Sequence, residues 1–263
     1  MTFSIVAFDP ANGDLGVAVQ SKFPNVGVSI PFAKAGVGAV ATQSYCNTSY
    51  GPRGLALLES GASPQQAVDI LTGGDEQRDY RQVGIIDARG RTASFTGAHC
   101  FDWAGDAQGV CCAAQGNTLA GSGVVAGMVR GFEDAGGSLA ERLLAALQAG
   151  QAGGGDRRGQ QSAALVVVRA GGGYGGFDDR YVDISVYDHP TPIAELERLY
   201  AIHRLTYFRS DPAQLVPIDA AIANELQQMM HARGFYKGAA TGLCDEATLK
   251  ALRDFMGWEN YDE

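Results

Sequence analysis

Apolar runs separated by turn signals dominate the first part of the chain. The runs at 3–8 and 15–20 flank Asp-Pro-Ala-Asn-Gly-Asp, whose residues favour tight turns, and together they predict a β-hairpin. Residues 26–32 and 37–43 predict a second pair of strands. Later strand patterns lie at 82–87, 92–96, 110–115, 163–169 and 181–187.

Helical spacing of apolar residues appears between these strands. Ser63 and Pro64 are suited to the N-cap and first position of one helix, and the patterns at 124–134, 139–149 and 193–208 predict three more. Hairpin-linked strands outnumber strand–helix–strand units. The order therefore predicts an α+β fold in which helices sandwich two mostly antiparallel sheets.

The pattern changes after Ser210-Asp211-Pro212, which predicts a main domain over 1–209 and a small helical module over 210–263. In the module, Ile218, Ile222 and Leu226 form one apolar stripe. Asp245 followed by Thr248 predicts a cap for a second helix.

Charge excludes several classes of function. The formal net charge is −9 with no block of Lys or Arg, so neither nucleic acid nor an anionic membrane is expected as a partner. No apolar run is long enough to span a bilayer, and the first residues lack the pattern of a secretory signal. We therefore expect a cytoplasmic protein.

Cysteine and histidine spacing predicts neither a metal site nor a cofactor site. The five cysteines include no C-x-x-C, which favours buried thiols, and the four histidines are scattered. A G-x-G-x-x-G occurs at 171–176, but a strand pattern follows it where a dinucleotide site needs a helix. That segment is predicted to be a hairpin connection.

Thr2 is the candidate nucleophile. Once Met1 is removed, its hydroxyl would lie beside its own α-amino group, a base with a pKa of about 7.7–8.0. The predicted hairpin brings residues 20–22 opposite residues 2–3, so Lys22 is expected near Thr2. A solvated strand end is the alternative interpretation of Lys22.

Seven motifs together resemble one bacterial family of unassigned function. They include T-F-S-I-V-A-x-D-P, G-V-A-V-x-S-K-F, Y-G-P-R-G-L, Q-G-N-x-L-A-G and G-G-D-x-R-G-x-Q-S-A-A-L, and the likeness covers about 1–209. The chain is identified as a member of the domain of unknown function 1028 family, which has been placed with the N-terminal nucleophile (Ntn) hydrolases. The resemblance implies the four-layer αββα Ntn fold and no particular substrate.

The resemblance also implies roles for individual residues. Thr2 occupies the nucleophile position and Lys22 is the cation beside it. Other residues belong to two groups: oxyanion or substrate contacts at Thr42, Gln43, Ser44, Gln115, Asn117 and Arg158, and residues similar to the pair that orients the terminal amine, Asp156 and Ser162. A loop cap is the alternative role of the Gln115–Asn117 turn.

The tail resembles peptidoglycan-binding three-helix modules through L-x-x-M-x-x-x-G-F-Y-x-G-x-x-T-G and D-x-x-T-x-x-A-L-x-x-F. Murein fragments are therefore an expected partner of the module. A plain helical appendage or a contact between two copies of the chain is the alternative.

Three functional hypotheses follow. The first is a hydrolase that cleaves a small amide or peptide-like substrate through an acyl-enzyme on Thr2. The second is a non-catalytic Ntn-fold protein that binds a small ligand or a cell-wall fragment. The third, supported least, is a thiol enzyme that uses Cys46.

Overall fold

The computed structural model describes residues 2–210 and 212–261. The chain divides into two compact units, Met1–Tyr200 and Ala201–Glu263, and this division falls inside a helix. The predicted domain boundary at 209/210 stays a prediction.

Ten strands in the first unit form two sheets. In chain order they are β1 (Thr2–Phe8), β2 (Leu15–Ser21), β3 (Pro31–Lys34), β4 (Gly38–Ser44), β5 (Arg81–Asp87), β6 (Thr92–Thr96), β7 (Gly105–Gly109), β8 (Cys112–Asn117), β9 (Ser162–Val168) and β10 (Arg180–Val186). The larger sheet has the order β10-β9-β2-β1-β8-β7 and the smaller has β3-β4-β5-β6, with every pairing antiparallel.

Seven α-helices lie in the described ranges. They are α1 (Tyr50–Glu59), α2 (Pro64–Gly73), α3 (Gly123–Asp134), α4 (Leu139–Ala152), α5 (Pro192–Tyr207), α6 (Ala220–Ala232) and α7 (Glu246–Trp258). Helices α1 and α2 pack on the smaller sheet, and α3 and α4 pack on the larger one. Ser63 caps α2 in a reciprocal pair with Gln66, as its position before Pro64 predicts.

The four layers explain why the central strands are continuous apolar runs. Every residue of β1, β2 and β9 is buried, because one face of the larger sheet meets the smaller sheet and the other meets α3 and α4. Val6, Val17 and Val166 share the layer between the sheets with Ala39 and Ile86. The predicted α+β sandwich of antiparallel sheets between helices is confirmed.

Two strand predictions are wrong in detail. Residues 26–28 form a 3₁₀ turn, because Asn25 takes a left-handed conformation (φ 48°), the Ser29 N–H donates to the Val26 carbonyl and the Val26 N–H donates to Ser162 Oγ, so β3 begins only at Pro31. Strand β7 has the sequence GDAQG and was not predicted, since an edge strand can be polar on both faces.

The glycine-rich segment at 171–176 connects β9 to β10, and no helix long enough for a dinucleotide site follows it. The prediction of a hairpin connection is confirmed. The expectation of buried thiols is wrong for Cys244, which is exposed.

The second unit is organised by one buried amide. Gln227 on α6 donates from Nε2 to the Leu243 carbonyl (2.9 Å) and to Thr248 Oγ1 (2.7 Å), and its Oε1 accepts from the N–H groups of Thr241 (2.8 Å) and Gly242 (3.0 Å). These bonds fix the loop between α6 and α7. Asp245 caps α7 through the Thr248 N–H, as predicted.

The helices of the described ranges are all too short or too polar to cross a bilayer.

Candidate active site

Thr2 begins the central strand of the larger sheet. It pairs with Ser21 on β2 and with Asn117 on β8, which confirms the predicted hairpin register. The Thr2 hydroxyl donates to Ser21 Oγ at 3.0 Å, and Thr2 is 3% exposed. Two strands therefore flank Thr2, and β2 binds its hydroxyl through Ser21.

The face of β1 that carries Thr2 is directed at the smaller sheet. Alternate residues of a strand share a face, so Thr2 and Ser4 lie on the same side as Val6 in the layer between the sheets. Ser4 Oγ donates to Gln43 Oε1 (2.6 Å) and accepts from Gln115 Nε2 (2.6 Å). Polar side chains thus replace the apolar core at this end of the sandwich.

We call this polar group the amide layer; its members are Ser4, Gln43, Gln82, Gln115 and Asn117. All five are completely buried. Gln82 Oε1 accepts from Gln43 Nε2 and from Asn117 Nδ2, each at 2.9 Å, and Gln82 Nε2 donates to the Gly116 carbonyl at 2.8 Å. Buried amides are tolerated where they are hydrogen-bonded, and here the bonds tie the two sheets together.

The Gln43 side chain supports the strand that carries Thr2. Besides Gln82, its Nε2 lies within hydrogen-bonding distance of the Thr2 carbonyl (3.4 Å) and the Gln115 carbonyl (3.3 Å). The Gln43 amide is therefore engaged inside the protein, between β1, β5 and β8.

Two acceptors of the amide layer lack a donor among the described residues. They are Gln115 Oε1 and Asn117 Oδ1, both on β8 next to Thr2. A buried polar atom without a partner costs about 1–3 kcal/mol, so such atoms are rare and call for an explanation. Asn117 is the β8 partner of Thr2 and Gln115 is the partner of Ser4, so both atoms lie at the Thr2 end of the sandwich.

Asp156 and Arg158 fix the chain that leaves β2. The Asp156 side chain is completely buried and accepts from the Lys22 N–H (3.3 Å), from Arg158 Nε (3.1 Å) and from Arg158 Nη2 (2.7 Å). Through the Lys22 N–H, Asp156 is bonded to the residue that follows Ser21, the partner of Thr2.

Ser162 and Lys22 stabilise the same segment. Ser162 pairs with Ser21, accepts from the Val26 N–H (3.1 Å) and donates to the Phe23 carbonyl. Lys22 Nζ donates to the Gln160 carbonyl at 3.2 Å, so its ammonium lies at the protein surface. The contact expected between Lys22 and Thr2 is formed by Ser21 instead.

The loop after β4 has a strained start. Ser44 has φ 70°, a left-handed value that non-glycine residues rarely adopt. Thr42 Oγ1 donates to the Asn47 carbonyl at 3.2 Å and so folds the loop back on its strand.

Asp75 anchors the loop that follows β4 through hydrogen bonds to three side chains. Its Oδ2 accepts from Asn47 Nδ2 (3.1 Å), Tyr50 Oη (2.9 Å) and Arg81 Nε (3.0 Å), while Arg81 Nη1 donates to the Tyr45 carbonyl (2.6 Å). Burial alone would raise the pKa of Asp75, but these hydrogen bonds outweigh it and hold the pKa well below its usual range. Burial and the bond to Asp75 raise the pKa of Tyr50.

Cys46 is a partly buried thiol. Its Sγ donates to the carbonyls of Thr42 (3.1 Å) and Ser29 (3.4 Å), and burial raises its pKa. Because the thiolate is the nucleophilic form, this environment argues against the Cys46 hypothesis.

A cavity of about 210 Å³ opens beside these strand ends. It is lined by Phe23, Ser44, Tyr45, Phe101 and Arg158. Three of the five lining residues are close to partners of Thr2. Phe23 lies two residues after Ser21, Ser44 follows Gln43, and the Phe101 carbonyl accepts from the N–H of Thr118, which follows Asn117.

The structure brings together most of the predicted site residues and adds others. Thr2, Gln43, Gln115 and Asn117 meet in and around the amide layer, whereas Asp156, Arg158 and Ser162 support the neighbouring turn. Residues that the sequence did not predict are Ser21, Gln82, Phe23, Tyr45 and Phe101. A glutamine inside an apolar strand was the available signal for Gln82.

In the described ranges no three His, Cys, Asp or Glu side chains are placed to hold a metal ion.

These features define an α+β sandwich with a hydroxyl residue at the start of its central strand and a polar site at the strand ends. A family model described as "Family of unknown function (DUF1028)" matches residues 2–196, and the chain belongs to this family. A second model, described as "Putative peptidoglycan binding domain", matches residues 207–263.

A solved structure supports the same assignment. The crystal structure of protein SPO2555 from Silicibacter pomeroyi, itself matched by DUF1028, is 31% identical with a TM-score of 0.71. The alignment covers 81% of this chain and 91% of that one. No curated protein matches the chain.

We predict that Gly84→Ala lowers the free energy of unfolding by about 1–3 kcal/mol. A Cβ at Gly84 would lie 2.0 Å from Gln115 Oε1, and Gln115 cannot withdraw without losing its bond to Ser4. Equilibrium urea unfolding measures the change. Gly121→Ala is the control, since a Cβ there meets nothing within 4 Å. Adding Gln115→Ala should recover part of the loss, and wild-type stability of Gly84→Ala alone would contradict the packing described.

We predict that Asp75 makes the fold sensitive to acid. The pKa of Asp75 is lowered in the folded state, so its contribution to stability is complete above the unfolded-state value of about 3.9 and is lost progressively as the pH falls from there through the lower folded-state value. Asp75→Asn should cost about 2 kcal/mol at pH 7 and much less at pH 3. Thermal melts across this range measure the difference. Asp69→Asn, a change at an exposed α2 residue bonded to Gln65, should show no such trend; equal behaviour of the two variants would refute the prediction.

Proposed function

We propose that this protein is an N-terminal-nucleophile amide hydrolase in which Thr2, exposed as the first residue by removal of Met1, attacks the substrate. The observation that carries the proposal is the Thr2 hydroxyl, held by Ser21 at 3.0 Å where the strand ends meet a cavity. The four layers agree with the Ntn fold that the family resemblance implies.

The chemistry needs a base close to the Thr2 hydroxyl. A threonine hydroxyl is a poor nucleophile near neutral pH, and a free α-amine on the same residue can accept its proton. Methionine removal is favoured before a small residue such as Thr. Ser21 orients Oγ, and Gln43 and Asn117 hold β1 in register.

The reaction then has two halves. Thr2 Oγ bonds to the amide carbonyl carbon while its proton passes to the α-amine; the C–N bond breaks and the leaving amine takes that proton. Water attacks the resulting ester, gives a proton to the α-amine, and the ester C–O bond breaks as Oγ regains a proton. A backbone N–H at the end of β4, at Gln43 or Ser44, is the proposed oxyanion donor, since the Thr42 N–H already donates to the Ile30 carbonyl at 3.3 Å.

We assign the 207–263 module to binding of murein fragments, on the basis of its family match. A peptide-containing ligand of this kind is compatible with an amide hydrolase. The cytoplasmic location predicted from the sequence remains a prediction.

We predict that a reactive amide, ester or β-lactam acylates Thr2. Intact mass spectrometry of the processed protein should show one added acyl group, which peptide mapping places on residue 2. Thr2→Ser should retain acylation because it keeps the hydroxyl and the amine, whereas Thr2→Ala should lose it. The rate should rise with pH to about 8, as the amine loses its proton. Acylation of Thr2→Ala at the wild-type rate would remove Thr2 from the mechanism.

We predict that the full chain co-sediments with insoluble peptidoglycan and is released by soluble murein fragments. Thr2→Ala should sediment equally, because this binding does not need the nucleophile. Gln227→Ala should weaken it, because the loop at 241–243 loses its anchor; Lys250→Gln, on the exposed face of α7, is the control. Failure of the wild-type chain to sediment would refute the assignment.

A further inference from the structure

The cavity beside Thr2 combines aromatic walls with a cation. Phe23, Tyr45 and Phe101 are 56%, 60% and 53% exposed, an unusual concentration of large apolar side chains at one surface site. Arg158 forms another wall, and its side chain is 34% exposed. Such a site offers stacking surfaces and a charged hydrogen-bond donor together.

The size of the cavity limits what enters it. Sites for whole drug-sized ligands have volumes of roughly 300–1,000 Å³. A volume of about 210 Å³ therefore suits one ring-sized group of a substrate, with the rest of the molecule outside.

The charges around the cavity favour an anion. Arg158 lines it, Lys22 precedes Phe23, and Arg157 donates to the Asp102 carbonyl next to Phe101. Two carboxylates nearby are each paired with an arginine: Asp156 with Arg158, and Asp75 with Arg81, whose Nη1 donates to the Tyr45 carbonyl. Arg157 and Lys22 therefore add positive charge beside the cavity, near Asp102, in a chain of net charge −9.

Asp156 also prepares Arg158 for recognition. By accepting from Nε and Nη2, the carboxylate fixes the plane of the guanidinium at the cavity wall. A preoriented guanidinium loses less conformational entropy when it binds an anion.

We infer that this cavity selects amides in which an apolar, ring-sized group lies next to a carboxylate, as in an N-acylated amino acid or the carboxyl end of a peptide. Phe23, Tyr45 and Phe101 contact the apolar group, and Arg158, with Arg157 and Lys22 around it, attracts the carboxylate. This substrate class rests on the proposed function, because Phe23 and Ser44 of the cavity wall lie one or two residues beyond Ser21 and Gln43, which hydrogen-bond to Thr2.

Three probes test the inference by calorimetry on the full-length Thr2→Ala protein, in which no turnover occurs. They are N-acetylphenylalanine, its uncharged amide, and N-acetylglycine. The acid should bind about fivefold more tightly than its amide, because only the acid can form a partly exposed ion pair with Arg158. This preference should weaken with added salt, which screens the ion pair. Loss of the ring should weaken binding about tenfold.

Substitutions then separate the two contributions. Phe101→Ala should weaken both phenylalanine probes equally and leave N-acetylglycine unchanged. Arg158→Gln should abolish the preference for acid over amide. Because this change also breaks the pair with Asp156, Arg157→Gln, which keeps that pair, should reduce the same preference. Arg130→Gln, an exposed position on α3 outside the cavity lining, is the matched control and should change nothing.

The inference is overturned if acid and amide bind equally, or if Arg157→Gln and Arg158→Gln both keep the preference in folded protein. Failure of the hydrolase proposal looks different. Selective binding to Thr2→Ala, combined with no acylation of the wild type by any electrophile, would keep the cavity as an anion-selective site and remove the catalytic role of Thr2.

Discussion

The register of β1 between β2 and β8 is the constraint on which the candidate site depends. It sets Thr2 opposite Ser21 on one side and Asn117 on the other. Because strand side chains alternate, a slip of one residue would turn the Thr2 side chain toward α3 and α4 and away from the smaller sheet. The apolar residues that follow Thr2 make such a slip costly, since Val6 and Phe8 fill the layer between the sheets.

The amide layer replaces part of the apolar packing between the two sheets. Apolar residues fill the layer between the sheets elsewhere, but five polar side chains occupy it beside Thr2. Because Gly84 has no side chain, the Gln115 amide can pack directly against its backbone. Gln115 Oε1 and Asn117 Oδ1 have no donor among the described residues. The two unpartnered amide oxygens and the left-handed backbone at Ser44 each lower the stability of the fold. Such costs are typical of functional sites, where side chains are held in a required geometry at the expense of stability.

The sequence predicts the sandwich, its hairpins and the position of Thr2, because those depend on local apolar patterns and turn residues. It does not predict Gln82 or the aromatic lining of the cavity, because their roles arise from contacts between segments far apart in the chain. Asp156 and Ser162 illustrate the same limit. They come near the site as predicted, yet they bind the segment after Ser21, and no local pattern distinguishes that partner from the terminal amine. The 3₁₀ turn at 26–28 likewise depends on Ser162, a residue distant in sequence.

A catalytic account requires one covalent event, the release of the α-amine of Thr2. Only then do the attacking hydroxyl and its proton acceptor belong to the same residue. Terminal-residue mapping of the protein isolated from the organism that encodes it tests this requirement most directly. The account predicts a chain that begins at Thr2 with an unmodified amine. A chain that retains Met1, or whose Thr2 amine is acylated, would contradict it.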